Sequence, residues 1–328
     1  MTTHKHYHIV WKRFFFFFLA LTVLAFILAF VWHEKSVSAL KNENSELQEN
    51  LNKVQEELDK TKSTIEDLEK KLEAKKSGNP VSHVLASIKD KSPEKSYAYD
   101  TKIIREFTEK KDYKGEKIAF LTFDDGPNTE TTGKLLDILK EKDVPATFYM
   151  PGKNIGDDTA DLLKRIYEEG HVVGSHSFNH NYDHLYPNRI ANKDEIIKQE
   201  NQTLDAFRKY LGADFKHKTS RYPGGHMSWN KQSLAKSDKA LEDMGVIWID
   251  WNTMNGDAQP IKPRDPNDIP RPHNTQQVID NFEHSKRFTL NPNIAVVLMH
   301  DGKDVTLNAL GALIDHMKAQ GYSFGVLD

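Results

Sequence analysis

The chain begins with an apolar stretch, continues with a charged heptad repeat, and ends with short apolar runs that alternate with helical patterns. The stretch from Phe14 to Trp32 has no charged residue and starts with five consecutive phenylalanines. A membrane-spanning helix needs about 20 apolar residues, so residues 14–32 are predicted to be a transmembrane anchor. Basic residues lie just before it, which predicts a cytoplasmic tail at 1–13 and an extracellular remainder. A cleaved secretory signal, with small residues at 37–39, is the alternative.

Residues 40–76 have the pattern of a coiled coil. Two series repeat every seven positions and alternate at spacings of four and three: Leu40, Leu47, Val54, Thr61 and Leu68, with Asn44, Leu51, Leu58, Ile65 and Leu72. This alternation is typical of a and d positions, with Asn44 as a polar a residue, and predicts a stalk that forms a homodimer. A helix lying on a domain surface would show a wider and less regular apolar stripe. Glycine and proline at 78 and 80 end the helix, and residues 77–114 are predicted to be a linker with some packed structure.

From residue 115 to the end, the pattern is that of one α/β domain. Strands are predicted at 118–123, 146–150, 171–174 and 294–299, and helices at 133–142 and 159–169. Strands that alternate with helices favour a parallel sheet or barrel covered by helices.

Composition and charge exclude several classes of protein. The chain has 45 Lys and Arg against 48 Asp and Glu, a formal net charge of -3, which excludes a generally basic nucleic-acid binder. It contains no Cys, which excludes disulfide scaffolds, thiolate zinc sites and cysteine nucleophiles. With 28% charged residues, it is too polar for a protein with many membrane spans.

The ends of three predicted strands carry two aspartates and three histidines: Asp124, Asp125, His176, His180 and His300. Two imidazoles four residues apart, together with a carboxylate, can form a three-ligand site for a divalent metal that leaves positions open for water and substrate. The spacing alone is weak evidence because the chain has 15 His, and an Asp-Asp pair is common in turns. The joint arrangement at successive strand ends favours a metal site.

Four motifs in this order resemble the polysaccharide deacetylase (NodB-homology) family, carbohydrate esterase family 4: Thr122-Phe123-Asp124-Asp125-Gly126-Pro127, His176-Ser177-Phe178-Asn179-His180, Arg221-Tyr222-Pro223-Gly224-Gly225 and Leu298-Met299-His300. The resemblance covers about residues 115–328. It implies a distorted (β/α) barrel with fewer than eight regular strands. From Arg221 to Trp229 the chain is most similar to surface peptidoglycan N-acetylglucosamine deacetylases.

The resemblance implies a role for each motif residue. Asp125, His176 and His180 would hold a divalent metal, usually zinc. Asp124 would be the general base that deprotonates the attacking water, and Arg221 would keep Asp124 ionised and oriented.

The remaining motif residues would act on the substrate. The backbone N–H of Gly224 would help to hold the oxyanion. His300 would donate a proton to the departing amine, and Leu298 would wall the pocket for the acetyl methyl group.

One motif departs from the family pattern, which has an Asp-Trp pair beside the acid histidine. Alignment without gaps puts Asp257 at the Asp position and Ala258 at the Trp position. Asp250-Trp251 is the alternative, because it preserves the pair. The missing Trp leaves the wall of the groove open, and either Trp229 or Trp251 would supply an aromatic face, with Trp229 taken as the substrate-binding candidate.

The resemblance implies a hydrolase that removes N-acetyl groups from N-acetylglucosamine in peptidoglycan at the outer face of the cell membrane. An O-acetyl esterase on xylan, or a deacetylase of a chitin-like glycan, is the first alternative. A non-catalytic wall scaffold is the second, but such proteins typically lose metal ligands, and here the three ligand positions and both acid/base positions are filled.

Overall fold

A computed structural model of the 328-residue chain describes residues 3–78, 97–262, 265 and 268–328. The chain divides into two compact units, Met1–Gly78 and Asn79–Asp328. The described part of the first unit is one helix, α1 (Thr3–Gly78), whose side chains are described only between residues 17 and 62, with gaps. Of the predicted linker, residues 77 and 78 are the end of α1, residues 79–96 lie outside the described residues, and the described chain resumes at residue 97.

The large apolar side chains described between residues 17 and 32 of α1 are exposed, between 46% and 78%. Among the described residues, α1 is long and apolar enough to cross a membrane. A signal sequence passes the same test of length and composition. The predicted apolar helix is therefore confirmed, while its membrane topology stays a prediction.

The heptad positions of α1 are also exposed. Leu40, Leu47, Leu51, Val54 and Leu58 are between 46% and 65% exposed. The side chains of Ile65, Leu68 and Leu72 lie outside the described residues. The pairing of α1 with a second helix stays a prediction.

The second unit is built on a curled parallel sheet. Its strand order is β6-β5-β4-β3-β2-β8-β7, with β9 beside the start of β2, and a separate parallel pair joins β1 to β10. The strands are β1 (Ala98–Tyr99), β2 (Ile118–Asp124), β3 (Ala146–Met150), β4 (Val172–Ser175), β5 (Thr219–Ser220), β6 (Ile247–Trp248), β7 (Thr253–Met254), β8 (Ile294–His300), β9 (Ser323–Phe324) and β10 (Val326–Leu327). The sequence predicted the four longest of these within one residue at each end.

Helices cover the sheet: α2 (Thr101–Glu109), α3 (Thr132–Glu141), α4 (Ala160–Glu168), α5 (Tyr182–Leu185), α6 (Lys193–Leu211), α7 (Lys231–Asp243), α8 (Thr275–Lys286) and α9 (Asp304–Ala319), with short 3₁₀ turns at Gly152–Asn154, Pro187–Arg189 and His226–Ser228. The central strands are buried on both faces, as in other sheets covered by helices on the outside. The largest apolar cluster joins β2, β3 and β8 to α3 and α9.

One stretch of chain brings the two edges of the sheet together. β6 pairs with β5 at one edge, and β7 pairs with β8 at the other. Only residues 249–252 separate β6 from β7, so the sheet must curl until a short connection spans both edges. The family resemblance implied a distorted (β/α) barrel, and the structure shows a curled parallel half-barrel sheet.

The residues before 115 pack with this sheet. β1 pairs with β10, and Ile104, Phe107 and Tyr113 belong to an apolar cluster with Phe120 of β2. The Asn291 side chain accepts a hydrogen bond from the Tyr113 N–H at 2.8 Å. The boundary predicted at residue 115 leaves out residues 97–114, which pack into the same unit through β1 and α2. We call residues 97–328 the domain.

Candidate active site

Strand register brings the ends of β2 and β8 together. Asp124 pairs with Tyr149 of β3 on one side and with His300 of β8 on the other. Polar residues at the carboxyl ends of parallel strands meet at one edge of the sheet, where α/β folds place their chemistry. Asp124 and His300, which are far apart in the sequence, are therefore direct neighbours in the sheet.

Asp125, His176 and His180 form a cluster in which potential ligand atoms lie within 4.8 Å of one another. The Asp125 Oδ1 atom is 3.7 Å from Nε2 of each histidine. Asp125 and His180 have left-handed backbones, with φ of 72° and 57°, which costs a non-glycine residue on the order of 1–3 kcal/mol. Such strain persists only where surrounding structure enforces it, and here it falls on two of the three predicted ligands.

The donor set fits a divalent metal of the zinc class. The Nδ1 atom of His176 lies 2.8 Å from the Arg221 carbonyl oxygen, to which it can only donate, so Nε2 keeps its lone pair for a metal. Burial and the neighbouring His176 lower the pKa of His180, which favours the neutral imidazole that binds metals. Two imidazoles and a carboxylate are ordinary zinc ligands.

Helix α6 holds the loop that carries the two histidines. The Gln199 Oε1 atom accepts hydrogen bonds from the backbone N–H groups of Phe178 and Asn179 at 3.0 and 3.1 Å. The Thr203 hydroxyl donates to the Ser177 carbonyl at 2.8 Å. Sequence reasoning missed both supports and the helix that carries them, on whose buried face Gln199 and Thr203 lie.

Arg221 forms the buried ion pair that the resemblance implied. Its side chain is 1% exposed, and Nη1 donates to the Asp124 Oδ1 atom at 2.9 Å and to the Thr122 hydroxyl at 2.7 Å. The guanidinium also lies 4.3 Å from the centre of the Tyr149 ring. These contacts orient Asp124 so that its Oδ2 atom, which lies 3.8 Å from His176 Nε2, faces the Asp125, His176 and His180 cluster.

Of the two aspartates left open in the sequence, Asp257 is the one that contacts His300. Its Oδ1 atom is 2.7 Å from His300 Nδ1, and Oδ2 accepts from the His300 N–H at 2.7 Å and from the Thr306 hydroxyl at 2.6 Å. Burial alone would raise the pKa of Asp257, but the hydrogen bonds and charge of His300 outweigh it and lower that pKa. Burial likewise opposes protonation of His300, but Asp257 raises its pKa overall.

Asp250, the other aspartate, contacts a different loop. Its two carboxylate oxygens accept from the backbone N–H groups of His226 and Met227 at 2.8 and 3.1 Å. Burial raises the pKa of Asp250 although these two hydrogen bonds stabilise its anion. The residue after Asp257, Ala258, is exposed, so this position supplies no aromatic wall.

Aromatic rings lie beside the Gly224 turn. Trp229 stacks on Tyr186 at 3.9 Å between ring centres and donates through Nε1 to the Pro223 carbonyl at 2.9 Å. Tyr182, which sequence reasoning missed, lies 5.3 Å from Trp229 and 5.1 Å from the His180 ring. Tyr182 is therefore a further aromatic ring beside the turn, next to His180, one of the three predicted metal ligands.

The last two predicted substrate contacts lie at the same edge of the sheet. Gly224 has a left-handed φ of 76°, and none of the described residues accepts a hydrogen bond from its N–H. Leu298 is on β8, paired with Thr122 of β2 and Met254 of β7, and is 7% exposed.

Asp301 holds the Asp124-Asp125-Gly126 turn through hydrogen bonds. The sequence analysis gave this residue no role. Its backbone N–H donates to the Asp124 carbonyl at 2.9 Å, and its carboxylate accepts from the hydroxyls of Thr131 and Thr132. A Cβ atom at Gly126 would clash with the Asp301 carboxylate, which explains the glycine in this motif.

Comparisons with known proteins agree with this geometry. A family profile described as polysaccharide deacetylase matches residues 111–242. A Bacillus subtilis protein named putative polysaccharide deacetylase YheN is 36% identical over 65% of this chain and 68% of its own length. A Bacillus cereus peptidoglycan-N-acetylglucosamine deacetylase is 32% identical over 64% of this chain and 69% of its own length.

A solved structure shares the fold. The structure of a Streptococcus mutans CE4 esterase superposes with a TM-score of 0.65 at 40% sequence identity, and the match covers 71% of this chain and 92% of that chain.

Proposed function

The chain belongs to the polysaccharide deacetylase family, and from this premise we propose that it removes N-acetyl groups from N-acetylglucosamine residues of peptidoglycan. The observation that carries the proposal is the direct pairing of Asp124 with His300 beside the Asp125, His176 and His180 cluster. A base, an acid and a metal-binding set at one edge can together carry out amide hydrolysis by water.

Asp125, His176 and His180 would hold the metal ion. A divalent metal there would polarise the acetyl carbonyl and lower the pKa of a water molecule. The family is metal-dependent in general, and we propose zinc for this chain because two imidazoles and one carboxylate suit it.

Asp124 is proposed to take the proton of the attacking water through Oδ2. Its Oδ1 atom accepts a hydrogen bond from Arg221 at 2.9 Å, which leaves Oδ2 for the proton. The buried guanidinium has a fixed position because the Thr122 hydroxyl also accepts from it, so the base is oriented before substrate arrives.

His300 is proposed to deliver the proton that the amine needs in order to leave. Asp257 accepts from Nδ1, so the transferable proton sits on Nε2, and the raised pKa of His300 keeps it protonated to higher pH. The Gly224 N–H would donate to the oxyanion as the carbonyl becomes tetrahedral. The net result is one amide and one water converted to acetate and a free amine.

The choice of peptidoglycan rests on relatives and on α1. The Bacillus cereus relative is named for peptidoglycan N-acetylglucosamine. An anchored apolar helix, followed by a helical stalk from 40 to 72 that spans about 50 Å at about 1.5 Å per residue, would hold the domain near an insoluble wall polymer. We therefore propose a single-pass protein of the cell membrane with its domain outside.

Ester hydrolysis is the second candidate, because the structural relative at 40% identity is described as an esterase. An alkoxide leaves more easily than an amine, so an esterase would depend less on His300. The second product distinguishes the two activities, because amide hydrolysis releases a free amine with acetate and ester hydrolysis releases a free hydroxyl group.

The test uses the full-length protein in detergent with three substrates: purified peptidoglycan, acetylated xylan and chitin oligomers. We expect acetate and free amine in equal amounts from peptidoglycan, with mass spectrometry placing the loss on N-acetylglucosamine. Asp124→Asn is the control for contaminating activity. Loss confined to the muramic unit, or acetate from xylan alone, would refute the proposal.

A further inference from the structure

The connection between the two edge strands, residues 249–252, contacts two parts of the candidate site at once. The Ile249 carbonyl accepts from Arg221 Nε at 3.1 Å, and the Asp250 carbonyl accepts from Nη2 at 3.3 Å. The Asp250 carboxylate accepts from the backbone N–H groups of His226 and Met227. The same short segment therefore holds the cation that orients Asp124 and the residues that directly follow the Gly224–Gly225 turn.

That turn needs external support. Gly224 and Gly225 both have left-handed backbones, with φ of 76° and 81°, and consecutive glycines lose much conformational entropy when they become ordered. Trp251 packs against Gly225 so closely that a Cβ atom there would be 2.8 Å from the indole ring. The Ser228 hydroxyl donates to the Gly224 carbonyl at 2.7 Å, which restrains the turn on its carbonyl side. Asp250 is the side chain that accepts from the backbone N–H groups of the two residues after the turn.

We propose that Asp250 is a positioning residue that holds the Gly224 N–H where the oxyanion develops. This inference rests on the proposed function. Asp250 touches neither the metal cluster nor His300 in the described contacts, so it acts through the backbone of the turn. A misplaced oxyanion donor loses much of its effect because the hydrogen bond must reach the transition state rather than the ground state.

Asp250→Asn is the informative substitution. An amide oxygen can accept only one of the two N–H groups, and the amide NH₂ then faces the other. Complete loss of an oxyanion donor costs about 10²–10³ in kcat, so a loosened one should cost roughly tenfold to a hundredfold. We expect KM, bound metal and the alkaline limb of the pH profile to stay near wild type, because the Asp250 side chain hydrogen-bonds neither the three predicted metal ligands nor His300.

Two further variants and a second measurement complete the design. Asp250→Ala should lose more kcat than Asp250→Asn, since it removes both acceptors. Asp100→Asn is the matched control, because the Asp100 carboxylate also accepts from a backbone N–H, that of Ile103 at 3.0 Å, but at the start of α2. Hydrogen exchange of the backbone amides from 224 to 227 should speed up in both Asp250 variants and stay unchanged in the control.

The outcomes separate this inference from the proposed function. A kcat within twofold of wild type in folded Asp250→Asn, or unchanged exchange, would overturn it. A fall in kcat that parallels loss of metal or of folded protein would do the same. If the wild-type protein releases no acetate from any glycan, the proposed function fails, and the exchange rates still decide whether Asp250 holds the turn.

Discussion

The long helix α1 and the domain differ in how far apart in the sequence the residues that define them lie. In α1 the positions that define the element are seven residues apart, and those described are exposed, such as Leu51 at 64%. In the domain, Leu121 is fully buried, and Asp124 meets Arg221 and His300 across long stretches of sequence. A local repeat can be recognised in the sequence. A site that strand pairing assembles from distant residues can be recognised only in the folded structure.

The largest expected effect tests the site that long-range contacts assemble. His180→Ala removes one of three clustered ligand atoms, so bound metal and turnover should both fall to background. Metal analysis of the purified variant, together with acetate release, provides the measurement. Full activity of a thoroughly chelated wild-type protein would show that the cluster is not a catalytic metal site.

Asp124→Asn should separate metal binding from chemistry. The amide is nearly isosteric but cannot take a proton from water, so metal content should persist while turnover falls by about 10²–10⁴. Metal content and kcat measured on the same preparation decide the matter. If metal is lost in proportion to activity, Asp124 and Asp125 have exchanged roles.

The pairing of Asp257 with His300 predicts a shift in pH dependence. His300 must be protonated to act as the acid, so activity should fall as pH rises through its pKa, which Asp257 raises. Asp257→Asn removes the negative charge and lowers that pKa, so the alkaline limb should move to lower pH, with a loss at neutral pH of roughly tenfold to a hundredfold within the general-acid contribution of about 10²–10⁴. Asp250→Asn is the control, since its alkaline limb should not move.

The smallest effect on catalysis is expected in α1. Leu51→Ala combined with Leu58→Ala removes apolar groups from the predicted seam, so self-association should weaken while acetate release and thermal unfolding of the domain stay unchanged. Sedimentation of the detergent-solubilised protein at high concentration measures the association. If variant and wild type were both monomeric, with equal mass per particle, the coiled coil would be refuted.

In the domain, by contrast, Leu121 is fully buried, so Leu121→Ala should lower the free energy of unfolding by about 2–5 kcal/mol in a denaturant titration.

The sequence by itself determined those features that depend on local pattern. The apolar stretch and the heptads predicted α1, the apolar runs predicted β2, β3, β4 and β8, and the motifs identified the family. These features are readable because periodicity and residue type act within a few positions of the chain. The two-residue strands β5, β6 and β7 were not predicted, since elements so short carry no periodicity.

Only the tertiary structure decided which aspartate contacts His300. Asp250 and Asp257 are seven residues apart in one segment, and each is a plausible partner by type and spacing. The curl of the sheet carries this segment from β5 to β8, so Asp250 falls beside the turn after β5 and Asp257 falls beside the end of β8. Which strand a residue lies next to is set by pairing between distant segments, and that information is not contained in the local pattern around either residue.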